Sequence, residues 1–354
     1  MNSSSNSIKG RGAASNPTNR FEVIHLERDS EFDPSEEVAP ATVFLHDTTQ
    51  TIINYNDSPD VGFDASVNPY RGCEHGCIYC FARPTHEYLG FSAGLEFESR
   101  IMVKLHAPTL LRKELAKSSW KPQVIAMSGV TDCYQPVEKR LRLTRGCLEV
   151  LAEHRNPVCI ITKSHLVTRD VDILSEMSRF HGAAVHVSVT SLDPNLARVF
   201  EPRAASPAHR LDAIQQLRAA GVQVGVLVAP VVPALTDHEM PAIIKAAVDA
   251  GAMYAGYVPL RLPFGLAALF EDWLGRHFPD RKENVLNRIK AMRGGKLNDP
   301  NFGSRMRGEG IFAEQMNKLF HAACKKAGLG DRGPDLRADS FRIPGHASQL
   351  SLFA

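Results

Sequence analysis

The alternation of short apolar runs with amphipathic segments, between about residue 61 and residue 260, limits the fold more than any other feature of the sequence. The apolar runs are short and rich in β-branched residues, as buried strands are; they span residues 123–128, 158–163, 184–190, 223–230 and 253–258. The segments between them have helical periodicity and span residues 107–117, 138–153, 169–180, 207–220 and 237–250. One further strand is expected before Cys73, so the pattern predicts six strands joined by helices.

An alternating order of this kind predicts an α/β fold, because parallel strands need a crossover connection that a helix can supply. Six strands favour a partial (β/α)6 barrel of the TIM type over the closed eight-stranded barrel. Helical patterns alone follow residue 260, at 266–277, 281–293 and 310–327. We therefore predict five segments: a disordered tail (1–20), an acidic N-terminal arm (21–60), the partial barrel (61–260), a helical extension (261–330) and a flexible tail (331–354).

Composition and charge indicate whether the chain forms a globular domain, spans a membrane or contacts an anionic partner. A chain of 354 residues with 44% hydrophobic content can form one large catalytic domain with attachments or two smaller domains. No apolar run approaches the roughly 18 residues that span a bilayer, and residues 1–19 lack the apolar core of a signal peptide, so we expect a cytoplasmic protein with no membrane partner. Residues 281–307 hold eight basic and two acidic side chains. This stretch either contacts an anionic partner or forms a solvated surface.

Three of the seven cysteines lie within eight residues, as Cys73, Cys77 and Cys80, with C-x3-C-x2-C spacing. Three thiolates from one short loop can each bind one iron of a four-iron, four-sulfur cluster and leave the fourth iron open to another ligand. The alternative is a structural zinc site, which has four protein ligands and would use His75 or His86 as the fourth. The spacing alone favours a metal site over disulfides in a reducing compartment.

The loop, with the aromatic Tyr79 before the third cysteine, resembles the cluster motif of radical S-adenosylmethionine (SAM) enzymes. More narrowly, the chain is similar to the spore photoproduct lyase family over about residues 65–260, and residues 68–77 resemble a bacterial branch beside it. The segments that carry this similarity, in the same order, are 128–132, 161–163, 187–189, 200–202 with 206–207, and 225–230.

The resemblance implies a [4Fe-4S] cluster and SAM as cofactors. Reductive cleavage of SAM, with electrons from a donor such as flavodoxin or ferredoxin, would give a 5′-deoxyadenosyl radical that abstracts a substrate hydrogen. In such an enzyme the cofactor supplies the chemistry, while the protein supplies position and a dry site.

The resemblance also implies where SAM would bind, at the C-terminal ends of the strands, where barrel sites form. The candidates are Ser128 and Thr131 for the methionine amino group, Lys163 and Ser188 for the carboxylate or ribose, Arg203 for the carboxylate, and Ala229 for the adenine. Each has a structural alternative. The first two hydroxyls would cap a turn, the lysine would be a surface cation, and the arginine would pair with a local acid such as Glu201.

Two departures from the lyase pattern bear on the reaction. The lyase family has a hydrogen-donating cysteine where this chain has Gly129, so Cys133 is a candidate replacement, with a buried inert cysteine as the alternative. A tyrosine thought to relay the radical is replaced by Phe81. Tyr79 and Tyr134 are candidate catalytic stand-ins, with packing as their alternative. These changes leave the dimer-splitting reaction open, although not the radical initiation.

The C-terminal residues resemble the pentapeptide by which bacterial repair and replication proteins dock onto the DNA polymerase sliding clamp. Leu352 and Phe353 would fill an apolar pocket, and Gln349, followed by Leu350, would make polar contacts beside it. The alternative is a tail that packs these side chains onto its own domain. Clamp docking would bring the enzyme to DNA, where residues 281–307 would contact phosphates.

The sequence therefore predicts a radical SAM enzyme that acts on damaged or modified DNA. One alternative is a radical SAM enzyme that modifies RNA, a peptide or a metabolite. A second alternative, from another class, is a non-catalytic iron–sulfur protein docked on the sliding clamp.

Overall fold

A seven-stranded sheet forms the centre of the computed structural model, which describes residues 8–21, 41–330 and 333–345. The strand order is β10-β9-β8-β7-β6-β3-β2. The strands of this sheet are β2 (Ile53–Tyr55), β3 (Ala65–Val67), β6 (Ile125–Met127), β7 (Val158–Thr162), β8 (Ala183–Ser188), β9 (Gln223–Val231) and β10 (Ala255–Pro259).

Six of these strands, β3 and β6 to β10, run parallel and lie side by side in chain order. This arrangement confirms the predicted α/β fold with a partial (β/α)6 architecture. Within the described residues β10 pairs only with β9, and β3 continues on its other side to the antiparallel β2, so the sheet does not close into a barrel. The C-terminal ends of all six parallel strands therefore meet along one open edge.

A second, three-stranded sheet leads into the cysteine loop. It contains β1 (Val43–His46), β4 (Tyr70–Arg71) and β5 (Arg100–Val103), in the order β1-β5-β4. Both β1 and β2 lie in the stretch predicted to be an irregular arm. Strands of two to four residues give almost no periodic signal, and these depend on pairing with residues distant in sequence.

The predicted crossover helices are present, although several differ in their bounds, and further short helices lie among them. The helices are α1 (Leu95–Ser99), α2 (Ala107–Leu115), α3 (Glu138–Leu141), α4 (Leu143–His154), α5 (Val171–Ser178), α6 (Pro194–Phe200), α7 (Pro207–Ala219), α8 (Met240–Asp249), α9 (Leu266–His277), α10 (Pro279–Ala291), α11 (Ser304–Arg307) and α12 (Gly310–Lys326). The helix expected over 138–153 is divided at Arg142, which has a left-handed φ of 54°. The start of the helix expected over 169–180 is a 3-10 turn, His165–Asp170.

The helical extension packs directly onto the parallel sheet's helices and shares an apolar cluster with the cysteine loop. Trp273 of α9 is fully buried, and its ring centroid lies 5.1 Å from that of Phe200 at the end of α6. The Trp273 indole N–H donates to the carbonyl of Val199 at 3.1 Å. Burial of such large aromatic side chains is a strong apolar contribution to the stability of the interface.

Residues 8–20 differ from the disordered tail that was expected for 1–20. Ala13 is buried, and the backbone N–H groups of Gly12 and Ala13 donate to the two carboxylate oxygens of Glu98, at 3.0 and 2.8 Å. A Cβ on Gly12 would lie 1.8 Å from the carbonyl oxygen of Gly76, so only glycine permits this approach. Polar contacts that distant residues supply can order a segment that has few apolar side chains.

Part of the tail expected to be flexible also packs on the domain. The backbone N–H of Arg342 donates to the His154 carbonyl at 2.9 Å, and Phe341 packs against the main core. The clamp-like peptide at 349–353 lies outside the described residues. Among the residues that are described, no helix has the length and apolar character needed to cross a membrane.

The alternating burial of β7 gives a stability prediction. Ile160 is completely buried in the main core, whereas its neighbour Ile161 points to the other face of the strand and is half-buried. We expect Ile160→Ala to lower the free energy of unfolding by about 2–5 kcal/mol, since it removes buried methylenes and leaves a cavity. Ile161→Ala removes the same atoms and should cost clearly less. Urea unfolding followed by circular dichroism measures both, and equal losses would contradict the assigned burial.

Candidate functional site

The loop that follows β4 carries the three clustered cysteines. Cys73 and Cys77 are buried and Cys80 is half-buried. The Cys73 N–H donates to the carbonyl of Phe97 at 2.9 Å, which ties the start of the loop to α1. Gly76 has a left-handed φ of 67°, and a Cβ there would lie 2.6 Å from a carboxylate oxygen of Glu98. The tight turn between the first two cysteines therefore requires glycine.

Burial sets the chemistry of the three thiols. It raises the pKa of Cys73 well above its ordinary value, with further increases from Asp132 and the two other cysteines. Burial likewise raises the pKa of Cys77 and of Cys80. Thiolates are thus unfavourable here unless positive charge is added, and iron coordination supplies that charge. The three groups influence one another because they share one small, water-poor loop.

The donor set fits three corners of an iron–sulfur cluster better than a closed zinc site. In the described part of the chain, no group of three or more His, Cys, Asp or Glu side chains is arranged to hold a metal ion. His75 Nδ1 lies 3.3 Å from a carboxylate oxygen of Asp132, and His86 packs between the rings of Phe91 and Phe97. Burial lowers the pKa of His86 to about 4. A cluster binds each thiolate to a different iron, so the sulfurs need not surround a single point.

Asp132 joins the cysteine loop to the edge of the parallel sheet. Its carboxylate accepts hydrogen bonds from the Thr162 hydroxyl and from the backbone N–H of Lys163, both at 2.8 Å, besides facing His75. Although burial alone would raise it, the pKa of Asp132 is lowered by His75 and by hydrogen bonds from the backbone N–H groups of Lys163 and Tyr134. The buried carboxylate is thus charged and fixes the loop opposite the ends of β6 and β7.

A second buried ion pair lies beneath the loop. Arg83 and Glu98 are both fully buried and pair at 2.6 Å. The Arg83 guanidinium also donates to the carbonyls of Gly76 and Cys77, at 3.2 and 2.9 Å. Glu98 is the carboxylate that binds the N-terminal segment, so this pair connects that segment to the cysteine turn.

Three of the residues predicted to bind SAM lie at the C-terminal ends of neighbouring strands. Lys163 follows β7, Ser188 ends β8 and Ala229 lies near the end of β9. The Lys163 ammonium donates to the Ala229 carbonyl at 3.3 Å and lies 5.7 Å from the centre of the Tyr79 ring. The structure therefore brings this subset together beside the cysteine loop.

The other predicted SAM contacts are already used within the protein. The Ser128 hydroxyl accepts from the Cys133 N–H at 2.8 Å, and the Thr131 hydroxyl donates to the Tyr70 carbonyl at 2.9 Å. Arg203 pairs with Glu74 at 2.9 Å, and its backbone N–H donates to the His75 carbonyl at 3.2 Å. These contacts favour the structural alternatives for all three side chains, with the acid partner of Arg203 being Glu74 rather than Glu201.

The proposed catalytic side chains occupy the interior. Cys133 is completely buried in the main core, and burial raises the pKa of its thiol well above the ordinary value. Tyr134 is also completely buried, and its hydroxyl donates to Asp170 at 3.1 Å. Their catalytic roles stay predictions, and this burial favours the packing alternatives for both.

Tyr79 belongs to a buried polar network that the sequence did not reveal. Its ring packs on Phe200 at a centroid distance of 4.4 Å, and its hydroxyl donates to Glu201. Glu201 forms a salt bridge with Arg210, and both side chains are 1% exposed. Glu201 follows the end of α6 and Arg210 lies in the first turn of α7. Charged residues at helix ends are ordinarily exposed, so only the tertiary structure identifies this pair.

The comparison with known families decides the identity of the domain. Residues 67–247, slightly more than half of the chain, match the family model described as the Radical SAM superfamily. The chain belongs to the radical SAM superfamily. This membership places the cysteine loop and the strand ends in a family that uses an iron–sulfur cluster and SAM.

The relatives of this radical SAM domain extend across bacteria and archaea. An uncharacterized protein of Mycobacterium tuberculosis is 39% identical over 220 residues, which are 62% of this chain and 65% of that protein. An uncharacterized protein of Methanocaldococcus jannaschii is 28% identical over 227 residues, 64% of this chain and 81% of that protein. The match thus spans slightly less than two thirds of the mycobacterial relative's length.

The fold of the radical SAM domain is also found in a solved structure. Spore photoproduct lyase complexed with dinucleoside spore photoproduct superposes with a TM-score of 0.58 over 80% of this chain and 79% of that one. The sequence identity is 14%, so the similarity concerns the fold.

The Glu201–Arg210 pair gives a prediction for the radical SAM domain. Replacing Glu201 by Gln leaves a buried guanidinium without its counter-ion, so we expect about 3–5 kcal/mol less free energy of unfolding at pH 7. The double variant Glu201→Gln/Arg210→Met should be less destabilised than Glu201→Gln alone. Glu153→Gln, at the exposed pair with Arg112, should change stability by no more than about 1 kcal/mol. Denaturant unfolding of the parent, of Glu201→Gln and Arg210→Met singly, of the double variant and of Glu153→Gln measures the coupling. A loss in the double variant equal to the sum of the two single losses would contradict it.

The same pair predicts a pH dependence. Burial would raise the pKa of Glu201, but Arg210 and Lys163 hold it below the ordinary value of 4.5. A depressed carboxyl pKa contributes stability above 4.5 that is lost as the pH falls through the folded value. The destabilisation by Glu201→Gln should therefore be constant from pH 7 to about pH 5 and shrink at lower pH. A difference that grows on acidification would contradict this sign.

Proposed function

We propose that this protein holds a [4Fe-4S] cluster through Cys73, Cys77 and Cys80, cleaves SAM reductively and removes a hydrogen atom from a damaged or modified DNA nucleotide. The observation that carries the proposal is the position of the cysteine loop. Asp132 fixes it against the open edge of the sheet, where Lys163, Ser188 and Ala229 lie. Electrons would come from a flavodoxin- or ferredoxin-type donor.

Different residues of the chain would bind the cluster and SAM. The three sulfurs bind three irons, and the backbone turn at Gly76 holds the sulfurs in one loop. Lys163 has a carbonyl partner but, in the described residues, no carboxylate within ion-pair distance, so its ammonium is available for the carboxylate of the methionine moiety. Ser188 and Ala229 line the same edge. When bound, the cluster and SAM supply one-electron reductive cleavage and hydrogen-abstracting power.

Three further observations support DNA as the substrate. Spore photoproduct lyase, whose fold is similar, is described in complex with a dinucleoside photoproduct. The basic stretch 281–307 would contact phosphates. The clamp-like peptide, with Gln349, Leu350, Leu352 and Phe353 as anchors, would dock the enzyme onto the sliding clamp. Lesion chemistry also requires that the damaged nucleotide leave the duplex and enter the site.

One observation favours a second candidate function, a radical SAM reaction on RNA, a peptide or a metabolite. The described residues place no thiol at the position of the lyase family's hydrogen donor, where Gly129 stands, and Cys133 is enclosed in the core. This arrangement would fit a reaction in which a group other than a thiol returns a hydrogen atom to the substrate, or in which none is returned.

Cluster binding and SAM cleavage can be tested with single cysteine variants. We expect anaerobically reconstituted protein to bind about four irons, and to release 5′-deoxyadenosine from SAM after reduction by dithionite. Cys73→Ala, Cys77→Ala and Cys80→Ala should each lose the cluster absorbance and the release of 5′-deoxyadenosine. Cys147→Ala, at a completely buried cysteine of α4, controls for loss of a core thiol. Bound zinc, or an intact cluster without SAM cleavage, would support instead a zinc protein or a non-catalytic iron–sulfur protein.

The substrate class can be tested with irradiated DNA. We expect the reconstituted enzyme, with SAM and reductant, to convert a thymine photoproduct in UV-irradiated DNA, as detected by mass spectrometry of the digested nucleosides. Unirradiated DNA and enzyme without SAM are the controls. SAM cleavage without any change in the lesions would refute the repair reaction and favour the second candidate.

A further inference from the structure

We propose that Arg261 and Phe81 form a nucleotide subsite beside the cysteine loop, in which the guanidinium binds a backbone phosphate and the ring stacks on a base of a single-stranded nucleic acid. The proposal rests on the proposed function only in placing the substrate at this edge of the sheet. It adds residues that bind the substrate, and it extends to any single-stranded or extruded nucleotide.

The first observation is a half-buried arginine that forms no ion pair with the described residues. Arg261 lies two residues after β10, and its Nε is buried with no hydrogen-bond partner. Its one recorded side-chain hydrogen bond goes to the thioether sulfur of Met306, at 3.2 Å, which is a weak acceptor. In the described part of the chain no carboxylate lies within ion-pair distance of it. Burial and the neighbouring Arg305 lower the pKa of Arg261, and they outweigh the opposing influence of Asp60 and Asp299.

The acids near Arg261 are committed to other groups. Asp60 pairs with Arg305 and accepts from the Gly303 N–H at 2.6 Å. Asp299 accepts from the Asn301 N–H at 2.9 Å. Arg293 adds a further buried cation, whose guanidinium donates to the carbonyls of Leu260 and Arg305. The neighbourhood therefore carries excess positive charge and hydrogen-bond donors, which a phosphate would satisfy.

The second observation is the exposure of aromatic rings at the same place. Phe81 directly follows the ligand candidate Cys80 and is 50% exposed, with the Arg261 guanidinium 5.8 Å from its ring centre. Phe302 is 58% exposed, with the Arg305 guanidinium 4.3 Å from its ring centre. Exposed phenylalanines interleaved with arginines are typical of surfaces that bind single strands, since bases stack on the rings and phosphates meet the cations.

The combination favours a nucleic acid over a small carboxylate or a peptide. A carboxylate would satisfy Arg261 but would leave the rings of Phe81 and Phe302 exposed to solvent. A nucleotide satisfies both requirements at once, and Phe81 would hold its base next to the cysteine loop. Stacking and phosphate contacts carry little sequence information, which suits recognition of an altered nucleotide in any sequence.

The test measures binding rather than turnover. Fluorescence anisotropy of a labelled 12-nucleotide single-stranded DNA is recorded with reconstituted protein at several salt concentrations. We expect Arg261→Gln to weaken binding at least fivefold and to reduce the slope of log K against log salt by about 0.7, as for one lost phosphate contact. Arg261→Lys should keep the slope while losing part of the affinity. Phe81→Leu should weaken binding at least fivefold without changing the slope, whereas Phe81→Tyr should bind like the parent.

Matched controls come from another exposed phenylalanine that lies under an arginine, outside the proposed subsite. Phe44 on β1 lies 5.1 Å beneath the guanidinium of Arg140, and Phe44→Leu and Arg140→Gln should bind DNA like the parent protein. Iron content and thermal unfolding of every variant confirm that the loop beside Phe81 is intact. Equal losses in the control pair, parental binding by Arg261→Gln, or a parent protein that binds no single strand would overturn the subsite.

The outcomes separate this proposal from the proposed function. Arg261-dependent binding without any reaction on irradiated DNA would keep the subsite and refute lesion repair. Conversely, if Arg261→Gln converts the lesion as fast as the parent protein, lesion repair would be supported and the subsite would be refuted. The same oligonucleotide made as RNA distinguishes the two sources of the nucleotide, because tighter Arg261-dependent binding of RNA would identify RNA as the natural strand.

Discussion

Burial of three thiols in one loop is the constraint on which the rest of the site depends. Desolvation opposes the thiolate form that metal binding needs, so the loop must be held in a position where iron can restore the balance. The structure holds it by charged groups that are themselves paired. Glu98 with Arg83 supports the turn from below, and Asp132 attaches it to the sheet edge. An unpaired charge beside this loop would lower the free energy of unfolding of the protein, because a buried ion is strongly destabilising when its partner is removed.

The same pairs explain why distant segments belong to the site. The buried carboxylate of Glu98 pairs with Arg83 and accepts hydrogen bonds from the N–H groups of Gly12 and Ala13. The N-terminal segment therefore supplies two of the partners that this carboxylate needs. The three-stranded sheet has a comparable role, since β4 delivers the chain into the cysteine loop. Both the N-terminal segment and the three-stranded sheet are distant in sequence from most of the site. The N-terminal segment is nevertheless needed to satisfy the buried carboxylate of Glu98.

Much of the fold could be predicted from the sequence because its signals are local. Most of the parallel strands lie in apolar runs and most of the crossover helices have helical periodicity, so the partial (β/α)6 barrel could be predicted from their alternation. The motif of Cys73, Cys77 and Cys80 is local as well. The partners of polar side chains are different. Arg203 binds Glu74, 129 residues away, and Thr131 binds the Tyr70 carbonyl, and no neighbouring residue indicates either contact. Cys133 and Tyr134 illustrate the same limit, because depth of burial depends on packing that spacing does not encode.

Two arginines, one buried and one half-buried, show how the structure adds information that the sequence does not contain. Arg210 is desolvated and fully matched by Glu201, which is the arrangement expected of a structural ion pair. Arg261 is partly desolvated and matched by no carboxylate in the described chain, although it stands at the same functional edge. An uncompensated guanidinium lowers the stability of the folded protein, and the fold retains it beside an exposed ring and a cluster-ligand candidate. Destabilised groups of this kind concentrate where a ligand supplies the missing partner. The contrast between these arginines is the reason why we assign a structural role to Arg210 and propose a substrate-binding role for Arg261.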